Sequence, residues 1–358
     1  MSQITIILIH ALVAFILSWI VYPWVYKFAV RHHIMDMPTQ RKCQQHPIPL
    51  MGGIAILLGA IIPLITIIVM HYTYVWLGIL LFTISMLILG GIDDWKGLSV
   101  RFRFVIETIL VGLFITNLFM IDNFYGLWGV THLSIWISIP LSILAGVGII
   151  NSINLIDGVD GYSSGYAIIA FTIFAIVMIY VHKYTYACLL LILAASTIPF
   201  YYHNTFGKKK MYIGDGGTLM IGAMLSTCVF YLLSNQSVSE QLMHKNIGIV
   251  AFCIAVLCIP VFDTLRVMYG RIRKGGSPFV ADTTHLHHLF LAIGFSHLQT
   301  SLTIIAINTF IVEIWWIAYL LGATIDIQLY IVLALGILST FGLGVVLQQI
   351  AKEKTKKE

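Results

Sequence analysis

Four stretches of this chain carry residues whose types and spacing could do chemistry. In Gly90-Gly91-Ile92-Asp93-Asp94-Trp95-Lys96, two carboxylates stand side by side. Adjacent carboxylates repel, so a metal cation or a proton must compensate them; a solvated helix end is the plain alternative. The second stretch, residues 151–161, holds Asn151, Asn154, Asp157 and Asp160. Asn151, Asn154 and Asp157 recur every three residues, which a helix end would hold near one face. Asp157 and Asp160 each precede a glycine, where backbone turns tightly. Six of these eleven residues are asparagine, aspartate or glycine, more than an ordinary turn between apolar runs requires.

The third stretch, Tyr212-Ile213-Gly214-Asp215-Gly216-Gly217-Thr218, leads into an apolar run. An aspartate among glycines at a helix N-terminus can hold Mg²⁺ while backbone amides face phosphate, or it can simply cap the helix. Lys208, Lys209 and Lys210 stand just upstream. The fourth stretch is the long loop 270–300, with Arg271, Arg273 and Lys274 at one end, Asp282 inside, and His285, His287 and His288 at the other. An HxHH pattern invites a zinc reading, but no cysteine or HExxH partner accompanies it. Histidines that meet phosphate fit the neighbouring cations better. The other histidines, His297 among them, read as background, with His46 and His203 as exceptions.

Together the four stretches offer carboxylates for a hard divalent cation and Arg, Lys and His for phosphate oxygens. Mg²⁺ suits oxygen ligands and bridges substrate phosphates, with Mn²⁺ as the substitute. The reaction class is phosphoryl transfer at a membrane surface. No GxxxxGK[ST] loop is present, which disfavours an ATP-driven pump. The remaining rival is a secondary transporter of an anionic or nucleotide-linked solute. Transporters place their coupling groups near the bilayer midplane, whereas these groups cluster at the ends of apolar runs.

The elements that must position these residues are membrane helices. Only 10% of the 358 residues are charged and 59% are hydrophobic, with a mean hydropathy of +0.95; a soluble domain carries about 25% charged residues. A spanning helix needs roughly 20 mostly apolar residues. About eleven such runs are legible: 4–26, 50–70, 74–92, 102–120, 133–150, 163–181, 186–202, 217–234, 247–269, 301–320 and 326–349. The expected fold is therefore all-α, a polytopic transmembrane bundle forming one integral membrane domain over 1–350. The charged tail 351–358 is expected to be disordered. The first run has no basic residue before it and no small-residue cleavage site after it, so it reads as a retained span.

Eighteen of the 20 Lys and Arg residues fall in loops after odd-numbered runs, at the run ends that border those loops (Arg103 and Arg266) or in the tail; only Lys183 and Lys245 do not. That segregation puts the N-terminus outside and the C-terminus in the cytoplasm. It also puts the four stretches, which are expected to converge in one pocket, on the cytoplasmic face of the plasma membrane. The net charge of +5 is distributed as topology demands, so it argues for a lipid bilayer as partner and against nucleic acid. Of the five cysteines, Cys188, Cys228, Cys253 and Cys258 lie in apolar runs and Cys43 in a loop, where a free thiol is expected.

The motifs PLMGG (49–53), GGIDDWKGLS (90–99), NSINLIDGVDGYSSG (151–165), HNTFGKKKMYIGDGGTLMIG (203–222) and SPFVADTTHLHHLF (277–290) resemble, in this order, the polyprenyl-phosphate N-acetylhexosamine-1-phosphate transferases. The HLHH form is similar to the N-acetylglucosamine branch, which includes enterobacterial-antigen and wall-teichoic-acid initiating enzymes. The resemblance implies transfer of a sugar 1-phosphate from a UDP-linked N-acetylhexosamine to undecaprenyl phosphate, with release of UMP. It implies Asp215 as the main Mg²⁺ ligand with Asp93 or Asp94 nearby, one of that pair serving as base or as anchor for the lipid phosphate. Asn151, Asn154, Asp157 and Asp160 would lie near nucleotide and metal. Tyr212 would stack on uracil beside Asn204. Arg271, Arg273, His285, His287 and His288 would grip pyrophosphate or sugar. A homodimer is compatible with the resemblance alone. Two positions depart from the family pattern: Arg41-Lys42 is followed by Cys43-Gln44-Gln45-His46 rather than by an early histidine, and Thr283 stands where a basic residue is usual.

Overall fold

A computed structural model describes residues 2–37, 46–71, 73–234, 246–278 and 283–357. Cys43, Gln44 and Asp282 lie outside the described residues. The chain is helical nearly throughout, and backbone contacts gather it into two compact units: 1–114 with 163–225, and 115–162 with 226–358.

In the first unit lie α1 (Gln3–Arg31), α2 (Gly52–Met70), α3 (Tyr74–Lys96) and α7 (Tyr184–Thr205), together with most of α4 (Val100–Asn117) and α6 (Tyr162–Tyr180) and the start of α8 (Gly214–Leu232). Helices α1, α2 and α7 pack together. Small residues let them approach: Gly59 of α2 lies against Ser18 of α1, whose hydroxyl donates to the Ser196 carbonyl of α7 at 2.6 Å. A two-stranded antiparallel ribbon, β1 (Met35–Asp36) and β2 (Ile48–Pro49), leads into α2. The first amides of α2 have no intrahelical acceptor. Those of Gly52 and Gly53 donate instead to the Tyr212 and Ile213 carbonyls, each at 2.9 Å, which ties PLMGG to the segment before Asp215.

The second unit contains α5 (Ile135–Leu155), α9 (Ile249–Val256), α10 (Cys258–Arg273), α11 (Leu286–Ala292), α12 (His297–Leu320), α13 (Ile325–Ile337) and α14 (Leu343–Lys357). The single run expected over 247–269 is broken: α9 and α10 meet at a bend of 72°. Pro260 explains the break, because it lacks an N–H and its ring clashes with the carbonyl one turn back. Asn308 of α12 repairs the exposed backbone, accepting the Ile259 N–H at 2.9 Å and donating to the Val256 carbonyl at 2.9 Å. Between α13 and α14 a π-helical turn spans Leu338–Gly342.

Helical structure covers each of the eleven expected runs, that over 247–269 as the bent pair. Among the described residues nine helices are long and apolar enough to cross a membrane, and the bent pair is a tenth candidate. The eleventh, α4, carries Arg101, Arg103 and Glu107 near its start. The tail differs from expectation: α14 continues as helix through Lys357. Alanine, glutamate and lysine are strong helix formers, and the Lys354 ammonium reaches the Ile293 carbonyl at 3.5 Å.

Candidate active site

The four polar clusters pair off, the first with the third in one unit and the second with the fourth in the other. In the first unit, Asp93 and Asp94 end α3 and face different tasks. Asp93 closes the α3–α4 turn, its Oδ1 accepting the Leu98 N–H at 2.7 Å and its Oδ2 the Arg103 guanidinium at 2.8 Å. Asp94 reaches the N-terminus of α8, where Oδ1 accepts the Asp215 N–H at 2.9 Å and Oδ2 the Gly216 N–H at 3.2 Å. A carboxylate there satisfies orphan amides and complements the positive end of the helix dipole. The approach depends on Gly90, since a β-carbon at that position would run into the Asp215–Gly216 peptide.

The Asp215 carboxylate lies 3.2 Å from Arg103 and is 36% exposed, against 11% for Asp93. Arg103 also pairs with the fully buried Glu107 at 3.3 Å, so three carboxylates share one guanidinium while Asp94 adds a fourth alongside. Sequence reading used Arg103 for topology only and passed over Glu107. The signal was available, because an Arg and a Glu four residues apart inside an otherwise apolar run are expensive unless paired.

This donor set fits Mg²⁺ chemically: its oxygens are hard, and Mg²⁺ is commonly held by one or two carboxylates plus substrate phosphates. Asp215, the most open of the trio, would be the ligand with Asp94 beside it. No group of three or more His, Cys, Asp or Glu side chains that could hold a metal ion by themselves occurs among the described residues.

The segment before Asp215 is fastened rather than open. Asn204 is buried and donates to the Met211 carbonyl at 3.0 Å. Tyr212 bridges Leu50 through its backbone, and Lys210 sits over its ring at 5.9 Å. His203 stacks on Tyr22 at 4.2 Å. An apolar recess of about 190 Å³ next to these elements is lined by Ile34, Leu50, Leu87, Trp95 and Ile213, with Asp94 the one charged residue among the described residues of its lining.

In the second unit, α5 ends at Leu155, so Asn151 and Asn154 lie on the helix and Asp157 falls in the turn beyond it, exposed. The Asn151 amide donates back to the Val147 carbonyl at 2.9 Å. Asp157 and Asp160 flank Gly158, whose value is space: a β-carbon there would collide with the His287 ring. His297, read as background, instead has its Nδ1 3.0 Å from Asp160 Oδ2. A capping box between Ser296 and Gln299 fixes the start of α12 and hence this side chain.

The histidine stretch is built on α11. His285 and His287 are buried with near-parallel rings 5.7 Å apart, and His288 stands 4.2 Å from His287. Burial above all, then its two histidine neighbours, holds the His287 imidazole well below the usual histidine range, so it is neutral at pH 7. Arg271 folds back to donate to the Pro278 carbonyl at 2.6 Å, and Arg273 is exposed.

The model of glycosyl transferase family 4 matches residues 76–233, which include the first three clusters. A Bacillus subtilis protein, named as a probable undecaprenyl-phosphate N-acetylglucosaminyl 1-phosphate transferase, is 30% identical over 335 residues, covering 92% of this chain and 90% of its own. The decaprenyl-phosphate N-acetylglucosaminephosphotransferase of Mycolicibacterium smegmatis is 30% identical over 82% of this chain and 77% of its own. The undecaprenyl-phosphate alpha-N-acetylglucosaminyl 1-phosphate transferase of Yersinia pestis is 28% identical over 76% and 73% respectively. With glycines and carboxylates holding α3 against α8 inside the matched region, the chain belongs to glycosyl transferase family 4, in its branch of polyprenyl-phosphate N-acetylglucosamine-1-phosphate transferases.

Proposed function

We propose that this chain transfers N-acetylglucosamine 1-phosphate from UDP-N-acetylglucosamine to undecaprenyl phosphate, releasing UMP and starting a cell-envelope glycan. The observation that carries this reading is Asp215: a partly exposed carboxylate in the first turn of α8, beside Asp94 and paired with Arg103, in a chain of membrane helices. A phosphate oxygen of the lipid attacks the β-phosphorus of the sugar nucleotide. The bond from that phosphorus to the bridging oxygen breaks, and UMP departs with the electron pair. One phosphoanhydride is made as one is broken, so the step needs no external energy source.

A phosphate monoester is already substantially ionised near neutral pH, so Asp93 and Asp94 serve positioning rather than proton removal. The obstacle is repulsion between two anions, which calls for charge shielding and alignment. Mg²⁺, or Mn²⁺, on Asp215 would supply that shielding by neutralising diphosphate oxygens. Tyr212 offers its ring to uracil. For nucleotide and sugar we assign Asn151, Asn154, Asp157 and Asp160. Arg271, Arg273, His285, His287 and His288 are assigned to anionic oxygens, for which the arginine fork is well shaped. The charge asymmetry of the loops supports an outside N-terminus and a cytoplasmic working face at the plasma membrane. The transporter reading finds no support in any of the relatives.

Turnover of the purified protein with a panel of UDP-sugars, with and without Mg²⁺, tests the reading. Release of UMP that needs the metal, the lipid phosphate and UDP-N-acetylglucosamine supports it. Solute uptake into vesicles without nucleotide cleavage would overturn it.

A further inference from the structure

Asp263 has no place in the transfer chemistry assigned so far, yet it is 3% exposed and spends both oxygens on its neighbours. Its Oδ1 accepts Arg266 Nε at 3.1 Å and Nη2 at 2.6 Å, while Oδ2 accepts His285 Nδ1 at 2.9 Å. Both oxygens also lie within 3.3 Å of the Leu286 N–H, at the start of α11. Arg266 Nη2 in turn donates to the Thr284 carbonyl at 2.6 Å. Thr284, His285 and Leu286 are thus pinned in succession by an acid–base pair one turn apart on α10.

The pair is boxed in from behind. A β-carbon at Gly344 of α14 would press on Arg266 Cδ, Nε and Nη1 at 3.2 Å, so the glycine leaves room for this side chain where that helix resumes after its π-turn. The consequence falls on His285. With Nδ1 committed to a carboxylate, the ring orientation is fixed and Nε2 becomes the nitrogen available for other chemistry. That Nε2 is buried and has no hydrogen-bond partner among the described residues. Polar atoms in such a place are normally satisfied, which points to a partner beyond the described residues. The adjacent His287 ring, stacked on His285, rests on Gly158 of the turn carrying Asp157 and Asp160.

We propose that Asp263, braced by Arg266, is a positioning residue of the transfer reaction, fixing His285 so that its Nε2 meets an anionic oxygen of the sugar nucleotide. The proposal rests on the transferase reading and names how one of its histidines is presented. A simple helix cap would be a structural role only, so the test must separate the two.

The variants are Asp263→Asn, which keeps the shape and an acceptor, His285→Asn, which keeps a donor toward Asp263 but lacks Nε2, and the double variant. Wild-type and variant proteins are assayed for UMP release across pH, with active sites counted by UDP-N-acetylglucosamine binding. Each single variant is expected to lose about 10- to 100-fold in kcat per site. The double variant should be no slower than His285→Asn, because both changes remove one function. Losses that multiply in the double variant, or an Asp263→Asn protein that melts earlier yet keeps wild-type kcat per site and pH profile, overturn the proposal. A wild-type protein that releases no UMP overturns the transferase reading and this proposal with it.

Discussion

The carboxylate of Asp94 accepts the backbone N–H of Asp215 at 2.9 Å, so one acid of the site builds the helix end on which the other is mounted. The two should therefore fail differently. Asp94→Ala removes a helix cap and should cost about 1 kcal/mol of stability, together with activity. Asp215→Asn, which keeps the shape of a partly exposed side chain, should leave the melting temperature within a degree or two and abolish UMP release. Thermal unfolding in detergent beside turnover checks this. A fully active Asp215→Asn protein would remove the metal assignment.

Arg103 joins Asp93, Asp215 and the buried Glu107. Arg103→Ala leaves a carboxylate buried without its cation, a change worth about 3–5 kcal/mol. Removing Glu107 as well should recover part of that loss. Melting curves of the single and double variants decide it, and a double variant less stable than Arg103→Ala would contradict this account of α4.

Asn308→Leu should destabilise the 72° break between α9 and α10. It leaves the Ile259 N–H and the Val256 carbonyl buried without this partner, at about 1–3 kcal/mol for each group so stranded. A melting temperature equal to wild type would mean that the break needs no side-chain support.

The neutral His287 gives a pH dependence whose sign is fixed. Its folded pKa lies below the ordinary 6.5, so below that pH the unfolded chain binds a proton that the folded chain refuses. Stability then falls as pH drops under about 6.5 and is unaffected by this group above it. The melting temperature of His287→Asn should decline less steeply from pH 6.5 to 5 than that of the wild type. Equal slopes would place His287 outside this linkage.

Much of this was legible in the sequence, for reasons that can be named. The apolar runs follow from hydropathy alone, and Asp93-Asp94 and Asp215 stood out because glycines and carboxylates together at the end of an apolar run rarely serve packing. What was not legible depends on distant backbones. The contact between Asp94 and Asp215 joins residues 121 apart and is set by the missing side chain at Gly90. His297 looked like any histidine before an apolar run, because Asp160, its partner, lies 137 residues away. Asp263 and Arg266, three apart near the end of the run 247–269, carry a signal of their own, since such a pair inside an apolar run is expensive unless matched. The bend at Leu257 hid behind a hydropathy profile that does not register a proline's missing amide. The tail read as disordered from its charge, when its residues are also good helix formers continuing an existing helix.

The most direct test follows the phosphate. Purified protein is given undecaprenyl phosphate and UDP-N-acetylglucosamine carrying a radioactive β-phosphate. The transferase account predicts that the label moves into the lipid fraction while unlabelled UMP appears in equal amount. Label leaving as UDP, with the sugar alone on the lipid, would show that a different bond breaks and would contradict it.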